Sequence, residues 1–378
     1  MSEEKVVFIH SPLLDEDGYP ESCPFNSHRA GATLKRIKGM GMMSGPGREV
    51  CEPVALTREE LEWFHDPRYL DVLEGLSTGA DMSNEAVFMG LGTPDCPIFR
   101  GMYEFSRLAA GGTLSAARMI LDGSAVRAFN PSGGFHHAGS GEAAGFCYIN
   151  DIVPALMELS RRGRRTAFVD VDAHHCNGVQ EAFYDRDDVL IISLHESGRY
   201  LFPGTGFETE IGNGPGRGFT VNIPLPMGTC DEVYEEALEA VVWPVLHAYD
   251  PDIIFVEMGM DALAGDPLAH LNLTNNVHAD FLDRIVRMNK PVLMVGGGGY
   301  NFERTVRAWA LCWSILCREH LADAVMGMGG VMLENTEWAG GLRDRRLIPD
   351  VSRLGEIRKD VHRVTEALKR SVFPVFGL

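Results

Sequence analysis

Histidine, aspartate and tyrosine side chains recur directly after short apolar runs of this sequence. Two His-His pairs occur, at 136–137 and 174–175, and Asp172 stands two residues before the second pair. Asp261 and Tyr300 follow two later apolar runs, Tyr300 after four consecutive glycines. Alternate residues of an extended segment point to the same side, so the side chains of Asp172 and His174 can bind the same ion. Two carboxylates and one imidazole, with a position left for water, form the pattern of a catalytic zinc site.

Each of these features has a simpler structural interpretation when it is taken alone. A histidine at a strand end is more often hydrogen-bonded than metal-binding, and a lone aspartate such as Asp261 suits a turn or a helix cap. The glycine run at 296–299 is not G-x-G-x-x-G, and no Lys-Ser/Thr follows it, which argues against a phosphate loop. The joint occurrence of these residues after separate apolar runs is what favours a metal site.

The apolar runs are rich in β-branched residues, which is typical of strands buried on both faces of a parallel sheet. The predicted strands are 6–9, 125–129, 166–171, 189–194, 220–223, 253–256 and 292–295. Helical patterns lie between them, at about 101–122, 151–162, 230–248, 278–289, 303–319 and 354–370. This alternation predicts one doubly wound α/β domain covering residues 1–378. The carboxyl ends of parallel strands meet at one edge, so the polar motifs should converge there.

Two stretches show no regular period. Residues 11–56 are rich in Pro, Gly and Met, and residues 196–218 contain seven glycines. Long structureless segments inside a compact domain are often binding loops, although a flexible surface loop is the simpler interpretation.

The overall composition excludes several classes of protein. With 45% hydrophobic and 23% charged residues the chain is globular rather than disordered. A net charge of −19 argues against a nucleic-acid partner and leaves a cationic substrate open. No segment approaches the roughly 18 apolar residues of a membrane span, and the first residues, MSEEKVVFIH, do not match a signal peptide. Eight scattered cysteines without a CxxC motif predict a reduced, cytoplasmic protein.

The sequence resembles the histone deacetylase family, and within it the bacterial deacetylase-like and acetoin-utilisation proteins. The motifs that carry the resemblance extend over nearly the whole chain, at 24–29, 93–97, 133–151, 170–180, 202–206 and 296–300. The resemblance implies the arginase/deacetylase fold, a mostly parallel sheet of about eight strands flanked by helices. This is the same layout that the periodicity predicts.

The resemblance implies a zinc-dependent deacetylase or deacylase. Asp172, His174 and Asp261 match the ligands of one Zn²⁺ per chain, although such donors also accept Fe²⁺ or Co²⁺. Tyr300 matches the tyrosine that polarises the carbonyl of an acylated amine together with the metal. The tetrahedral oxyanion would then be held by the metal and the Tyr300 hydroxyl.

The tandem histidines match the proton-transfer residues of the family. His137 would take a proton from the attacking water, and a protonated imidazole would return it to the leaving amine. Asp170 should accept a hydrogen bond from His136, and Asn177 should lie behind His137. Some relatives have Asp in place of Asn177, and an amide stabilises an imidazolium less than a carboxylate does. The division of labour between the two histidines therefore stays open.

A monovalent-cation site is also implied by the resemblance. The side chains of Asp170 and Ser193, with the backbone carbonyls of Asp172, His174 and Leu194, match a structural K⁺ site. From the sequence alone, Ser193 on a buried strand is more simply a satisfied hydroxyl.

The resemblance also implies a substrate channel. Phe146 and Phe202 match two aromatic walls that flank a lysine-like stem, and Gly145 would let the backbone approach the substrate. Leu268 resembles the channel rim, and Asp95 resembles a rim acid that grips a substrate backbone or amine. Without the resemblance, the two phenylalanines would be interpreted as core residues.

The substrate is left between acyl-lysine in a peptide or protein and an acetylated polyamine or other small amine. A binuclear arginase-type hydrolase is disfavoured, because Gly259 stands where an Asp-x-Asp pair would be required. A non-catalytic zinc scaffold is disfavoured because every expected catalytic residue is present. The sequence does not determine the oligomeric state.

Overall fold

A single parallel sheet organises the molecule. The computed structural model describes residues 4–16, 18–319, 341–348 and 351–378. Within these residues, eight strands pair in the order β2-β1-β3-β8-β7-β4-β5-β6, and every pair is parallel. The strands are β1 Val6–Ile9, β2 Arg48–Cys51, β3 Arg127–Asn130, β4 Thr166–Asp170, β5 Val189–Glu196, β6 Thr220–Leu225, β7 Ile253–Glu257 and β8 Val292–Val295. The predicted α/β fold with a sheet of about eight strands is confirmed.

Helices flank the sheet on both faces. They are α1 Leu13–Glu16, α2 Arg29–Gly39, α3 Arg58–Leu61, α4 Pro67–Ser77, α5 Asn84–Phe88, α6 Met102–Leu121, α7 Ile152–Arg161, α8 Asn177–Phe183, α9 Asp231–Ala237, α10 Trp243–Tyr249, α11 Asn275–Arg287, α12 Phe302–Leu316, α13 Val351–Ser371 and α14 Phe373–Phe376. A π-helical turn, Leu238–Val242, joins α9 to α10, and Gly214–Gly216 form a 3₁₀ turn.

The two faces of the sheet build two apolar cores from alternating residues. In β1, Val6 and Phe8 join the core that contains Trp309 and Trp313, whereas Val7 and Ile9 join the opposite core. Strand residues alternate between faces, so a strand that is covered on both sides has to be apolar at every position. This requirement explains why the inner strands appear in the sequence as continuous apolar runs.

The sequence prediction missed α3, α4, α5, α8 and α14, and it also missed the elements within residues 11–56, which we expected to be irregular. This stretch contains α2 and the edge strand β2. The sequence of β2, Arg-Glu-Val-Cys, has no apolar run because its residues are only partly buried at the edge of the sheet. The second unpatterned stretch, 196–218, holds only the short 3₁₀ turn after β5 ends.

The predicted helix 230–248 consists of α9, the π-helical turn and α10, which follow one another without a gap. Its backbone hydrogen-bonding pattern therefore changes in the middle. Pro244 stands in the first turn of α10, directly after the π-helical turn. Proline has no backbone N–H to donate, so a local change in the helical pattern at this point has a physical cause.

The sheet order explains how distant motifs meet. The motifs at 133–137, 170–175, 257–261 and 296–300 follow β3, β4, β7 and β8, and these four strands are neighbours in the order β3-β8-β7-β4. Because all four are parallel, their carboxyl ends share one edge, as the sequence predicted.

The predicted extent of the domain stays a prediction. The range 1–378 includes residues 1–3, 17, 320–340 and 349–350, which lie outside the described residues. Among the residues that are described, no helix is both long and apolar enough to cross a membrane.

The core around β1 generates a stability prediction. Phe8 is fully buried, and its ring packs edge-on against Phe129 and Trp313 at centroid distances of 5.4 and 5.5 Å. Phe8→Ala should lower the free energy of unfolding by about 3–5 kcal/mol, because it leaves a cavity between these rings. Urea unfolding followed by circular dichroism measures the change. Phe88→Ala is the matched control, since the Phe88 side chain is 87% exposed, and equal effects of both variants would contradict the packing described here.

Candidate functional site

Three buried donor groups meet at the carboxyl ends of β4 and β7. Asp172 and His174 follow β4, Asp261 follows β7, and one donor atom of each lies within 4.8 Å of the other two. His174 Nδ1 lies 3.2 Å from Asp172 Oδ1 and 2.9 Å from Asp261 Oδ2. The exposed fraction is at most 7% for each residue. The donors, one imidazole nitrogen and two carboxylates, suit a divalent transition metal.

Backbone N–H groups hold the two carboxylates in place. The N–H of His174 donates to Asp172 Oδ1 at 2.8 Å, and that of Ala173 donates to Asp261 Oδ1 at 2.8 Å. The N–H of Gly298 donates to Asp172 Oδ2 at 2.6 Å. Each carboxylate is thus oriented with part of its acceptor capacity used, which leaves its remaining lone pairs for a cation.

Two glycines let the backbone approach these carboxylates closely. A Cβ atom on Gly298 would overlap Asp261 Oδ2, and a Cβ atom on Gly259 would overlap Asp172 Oδ2. The glycine run after β8 is therefore required by close packing around the donor groups. The sequence argued against a phosphate loop at this glycine run. The close approach of the glycines to the carboxylates becomes visible only in the structure.

The three donors strongly perturb one another's protonation. Burial opposes charge on Asp172, but His174 and His136 outweigh it and hold the pKa of Asp172 well below its usual range. Burial and the negative charge of Asp172 raise the pKa of Asp261 to about 7. Burial lowers the pKa of His174, but hydrogen bonds with Asp172 and Asp261 outweigh it and raise that pKa to about 10. In the absence of a metal, a proton on His174 therefore supplies the positive charge that this cluster needs.

The tandem histidines lie beside the donor cluster. His136 Nε2 and His137 Nε2 are 3.0 Å apart, and His137 Nδ1 lies 2.7 Å from Asn177 Oδ1. Because an amide oxygen only accepts, His137 Nδ1 carries hydrogen and donates to Asn177. The structure therefore places Asn177 behind His137, where the sequence analysis expected it.

The loop that carries these histidines is held by Asp151, which the sequence analysis did not single out. Asp151 Oδ1 accepts from the N–H of Phe135 at 2.7 Å, and Asp151 Oδ2 accepts from the N–H of Gly134 at 3.0 Å and from the hydroxyl of Thr113 at 2.5 Å. These bonds tie the loop after β3 to the start of α7 and so fix where the histidine rings point.

His136 has two carboxylate neighbours, of which the sequence analysis expected only one. Its Nδ1 lies 3.3 Å from Asp170 Oδ2 and 3.0 Å from Glu257 Oε2, so Glu257 is the nearer. Asp170 and Glu257 are register partners in the β4–β7 pair. Glu257 was missed because it ends an apolar run and resembles a strand terminus. Its spacing of two residues from Gly259 and four from Asp261 is the signal that could have placed it on the same face as these residues.

The pKa values of the two histidines shift in opposite directions. Burial opposes charge on His136, but the attraction of Glu257 and Asp170 raises its pKa well above the usual range. Burial and the neighbouring rings of His136 and His174 hold the pKa of His137 well below the usual range. The two adjacent imidazoles are thus electrostatically different, which a sequence with two identical side chains cannot show.

Tyr300 also lies beside the donor cluster. Its ring centroid lies 6.4 Å from that of His174, and its backbone N–H donates to Asp266 Oδ2 at 2.8 Å. Burial and the carboxylates of Asp261 and Asp172 raise the pKa of Tyr300 well above 10. Its hydroxyl therefore keeps its proton and can donate a hydrogen bond.

Arg29 is hydrogen-bonded to the glycine run, and no role was predicted for it from the sequence. Its guanidinium donates to the carbonyl oxygens of Gly297 at 3.0 Å and Gly299 at 2.8 Å. It is sandwiched between the rings of Phe25 and Trp309, at 4.6 and 5.0 Å from their centroids. This planar, bidentate contact fixes the segment that precedes Tyr300.

The two phenylalanines expected as channel walls each lie next to a residue of the site. The ring of Phe202 is 4.9 Å from that of His137, and the ring of Phe146 is 5.6 Å from that of Tyr300. A Cβ atom on Gly145 would lie 2.9 Å from Phe202 Cε1 and would overlap the His137 ring. Phe202 is 43% exposed, which suits a residue at an entrance better than one in a core.

The two expected rim residues are less closely tied to the site. Leu268 is partly buried, and its N–H donates to Asp266 Oδ1 at 2.9 Å, so one carboxylate fixes both this loop and Tyr300. Asp95 is exposed on the segment between α5 and α6. The substrate-binding roles of Leu268 and Asp95 stay predictions.

Two residues expected at a monovalent-cation site, Asp170 and Ser193, lie next to each other. Asp170 is the register partner of Ser193, and Ser193 Oγ lies 3.5 Å from Asp170 Oδ2. The N–H of Asp172 donates to Asp170 Oδ1 at 2.9 Å. Ser193 Oγ also lies 2.8 Å from His195 Nδ1, a contact that the sequence analysis did not anticipate. The predicted roles of Asp172, His174 and Leu194 through their carbonyls stay predictions.

The chain matches known proteins over most of its length. The model of the histone deacetylase domain matches residues 23–316. The acetoin utilization protein AcuC of Bacillus subtilis (strain 168) is 38% identical over 318 residues, which cover 81% of each chain. Human histone deacetylase 1 is 35% identical over 310 residues, which cover 82% of this chain and 64% of the human protein.

Solved structures agree with the sequence matches. A crystal structure of an HDAC homolog complexed with SAHA superposes with a TM-score of 0.85 at 30% identity, over 97% of this chain and 100% of the other. A crystal structure of an HDAC homolog from Aquifex aeolicus has a TM-score of 0.82 at 31% identity, with the same coverage. The family that the motifs predicted is confirmed. The chain belongs to the histone deacetylase family, and this membership assigns it to the hydrolases of amide bonds.

Proposed function

We propose that this protein is a zinc-dependent deacylase that removes acetyl or short acyl groups from lysine-like amines. The observation that carries the proposal is one buried edge of the sheet that brings together three possible metal donors and a tyrosine hydroxyl that keeps its proton. Two histidines whose pKa values are shifted in opposite directions lie at the same edge. Aromatic rings lie beside His137 and Tyr300 at this edge, so an apolar substrate stem suits it. The proposal rests equally on the family, whose named members include deacetylases.

The residues present fit one divalent ion. Asp172, His174 and Asp261 would hold it, and their donor set suits Zn²⁺ while accepting Fe²⁺ or Co²⁺. When bound, such an ion supplies Lewis-acid polarisation of an amide carbonyl and acidifies water. K⁺ is proposed at the neighbouring site around Asp170 and Ser193, where it would offset carboxylate charge.

The chain's own groups divide the proton transfers between them. The Tyr300 hydroxyl donates to the carbonyl oxygen of the substrate and stabilises the oxyanion as negative charge develops there. His137 accepts a proton from the attacking water at Nε2, because its Nδ1 is committed to Asn177, and the 3.0 Å contact of this Nε2 with His136 Nε2 has to open for the step. The low pKa of His137 keeps that nitrogen unprotonated near neutral pH. The same Nε2 then returns the proton to the departing amine, while His136 stays in contact with Asp170 and Glu257.

The channel walls favour an extended amine as substrate. Phe146 and Phe202 offer flat apolar surfaces on which four methylenes of an acylated lysine can pack. The net charge of −19 attracts a cationic substrate while it diffuses toward the protein. Acyl-lysine in a peptide or protein is the proposed substrate, and an acetylated polyamine or similar small amine is the alternative. No nucleic acid or membrane partner is proposed.

The proposed setting is the cytoplasm. All eight cysteines are unpaired, and Cys96, Cys147, Cys176, Cys230 and Cys312 are buried. Unpaired buried thiols are typical of proteins that fold in a reducing compartment.

Removal of the Tyr300 hydroxyl tests the oxyanion role. Tyr300→Phe should lower kcat by about 10²–10³, because one preformed donor to the oxyanion is lost. Zinc content should not change, since the donors are Asp172, His174 and Asp261. Turnover and bound metal are measured on the same preparation. Tyr249→Phe is the control, because its hydroxyl bonds to Thr166 O at 3.4 Å on a remote part of the fold. Undiminished turnover in Tyr300→Phe would refute the mechanism and favour a non-catalytic scaffold.

Metal binding should depend on pH with a definite sign. In the metal-free protein the pKa of His174 is raised to about 10, so below that pH the imidazole carries a proton that the metal has to displace. Affinity for Co²⁺ should therefore rise about tenfold per pH unit between about pH 8 and 9, with one proton released, and more steeply below pH 7, where Asp261 with its pKa of about 7 also carries a proton. Competition with a chromophoric chelator measures it, corrected by protein-free titrations of the chelator at each pH. A corrected affinity that does not change with pH would contradict protonation of His174.

A substrate panel tests the proposed class. The zinc-loaded protein should hydrolyse an acetyl-lysine fluorogenic peptide, and a hydroxamate that chelates zinc through two oxygens should block the reaction. An acetylated polyamine is assayed alongside by release of acetate. Activity on the polyamine with none on acyl-lysine peptides would replace the lysine proposal by the small-molecule alternative.

A further inference from the structure

Glu196 is a buried carboxylate that the proposed mechanism does not use. It is the last residue of β5, the strand next to β4, and its side chain is fully buried. Both of its oxygens face one residue, since Glu196 Oε2 accepts from the backbone N–H of His270 at 2.6 Å and Glu196 Oε1 lies 3.0 Å from His270 Nδ1. Because an ionised carboxylate only accepts, His270 Nδ1 carries hydrogen and donates. A buried carboxylate is costly unless it is hydrogen-bonded in this way, so the two residues form a strongly held pair.

His270 lies on a loop, residues 264–272, that leaves the sheet edge and returns to the same point. Leu263 and Leu273 form an isolated parallel bridge at the base of this 264–272 loop. The N–H of Ala264 donates to the carbonyl of Leu273 at 2.8 Å and closes the base. A loop closed only at its base takes its shape from the contacts that its middle residues make.

Two carboxylates attach the 264–272 loop to the rest of the site. Asp266 lies on the loop and accepts from the N–H of Tyr300 at 2.8 Å and from the N–H of Leu268 at 2.9 Å. Glu196 lies outside the loop and accepts from His270. The loop is therefore a link, with β5 at one attachment and Tyr300 at the other.

A cleft leaves part of the 264–272 loop with little side-chain packing. The cleft has a volume of about 310 Å³ and is bordered by Asp266 and His270, and by Arg353 and Leu354 at the start of α13. The side chain of His270 is 53% exposed. The N–H of Gly228 donates to the carbonyl of His270 at 2.8 Å and gives some further support. The position of such a segment depends on its hydrogen bonds more than on packing.

The position of the 264–272 loop matters for Tyr300 because glycines precede this residue. Gly297 and Gly299 have φ angles of 102° and 130°, in a region that glycine enters without strain. Arg29 holds the carbonyls of these two glycines, whereas Asp266 holds the N–H of Tyr300 itself. Displacement of the loop would therefore displace the Tyr300 backbone, and a shift of about 1 Å in a catalytic group can cost about 10²-fold in rate.

Glu196 is also attached to the segment that carries the proposed metal donors. Its own N–H donates to the carbonyl of Ala173 at 2.8 Å, and Ala173 lies between Asp172 and His174. The end of β5 is thus joined to the donors through its backbone and to the 264–272 loop through its side chain. The two groups that would act on the substrate carbonyl, the metal and the Tyr300 hydroxyl, are both held relative to this one residue.

We propose that Glu196 and His270 are positioning residues for the Tyr300 hydroxyl. Their charge-assisted hydrogen bonds fix the 264–272 loop against the end of β5, and Asp266 transmits that position to the backbone of Tyr300. Neither residue of the pair contacts the substrate in this account. The inference rests on the proposed function, in which the Tyr300 hydroxyl stabilises the oxyanion.

A double-mutant cycle tests the positioning role. His270→Ala removes the Nδ1 donor, so kcat on an acetyl-lysine peptide should fall about tenfold, because the hydroxyl is misplaced. Bound metal should not change, since the three donors are untouched. In the Tyr300→Phe background the same substitution should lower kcat less than about twofold, because the hydroxyl that it misplaces is already absent. A general loss of structure would lower kcat equally in both backgrounds.

Two further variants control the cycle. His270→Asn should recover most of the lost kcat, because the amide N–H₂ group can donate to Glu196 in place of Nδ1. His247→Ala should keep the wild-type kcat, since His247 is an exposed histidine whose Nδ1 lies 2.6 Å from the Trp243 carbonyl within its own helix, α10. Circular dichroism and metal content are measured on every variant.

Each outcome separates this inference from the proposed function. Wild-type kcat in His270→Ala, an equal loss in the Tyr300→Phe background, or no recovery in His270→Asn would overturn the positioning role and leave the deacylase proposal standing. A zinc-loaded wild type that hydrolyses neither acyl-lysine peptides nor an acetylated polyamine would overturn the deacylase proposal, and the positioning role with it.

Discussion

The burial of negative charge at one edge of the sheet is the constraint on which the rest of this structure depends. Asp170, Asp172, Glu257 and Asp261 are all fully or nearly fully buried there. No apolar surroundings tolerate this arrangement without compensation, because a buried charge has to be paired, hydrogen-bonded or neutralised. The raised pKa values of His174 and His136 show that, without metal, protons do this work. A metal cation that binds here would replace these protons and supply the same positive charge to the carboxylates.

The fold satisfies this constraint through strand order and backbone contacts. The four strands that supply the motifs, β3, β8, β7 and β4, are adjacent, so their carboxyl ends converge without long loops. Backbone N–H groups of the converging loops point at the carboxylates of Asp172 and Asp261, and glycines bring those N–H groups within reach. Arg29 then anchors the glycines before Tyr300, and Asp266 accepts a hydrogen bond from the N–H of Tyr300 itself. The scaffold therefore places dipoles and hydrogen bonds where the charges are, before any ligand arrives.

Much of this arrangement is predictable from the sequence, and the exceptions have physical causes. Strands covered on both faces leave apolar runs, so seven strands and the convergence of their ends were foreseen. The edge strand β2 was not, because partial burial removes that signal. The roles of Glu257 and Asp151 depend on which strands are neighbours and which N–H groups face them. Strand order and loop contacts are tertiary properties. The motifs that carry the resemblance do not supply them for Glu257, which lies outside those motifs, and give no role to Asp151, which ends one of them.

The chemistry and the selectivity of this site have separate structural origins. The groups that we propose for proton transfer and cation binding lie at strand ends and are buried, so their geometry is fixed by the core. Phe202, Leu268 and Asp95 lie on connecting segments, and Phe202 and Asp95 are exposed, so little packing constrains them. Substitutions on such loops can change which acylated amine enters without disturbing the buried charges. In the proposed function the reaction class therefore follows from the sheet edge, whereas the choice between a protein lysine and a small amine would be made at the rim.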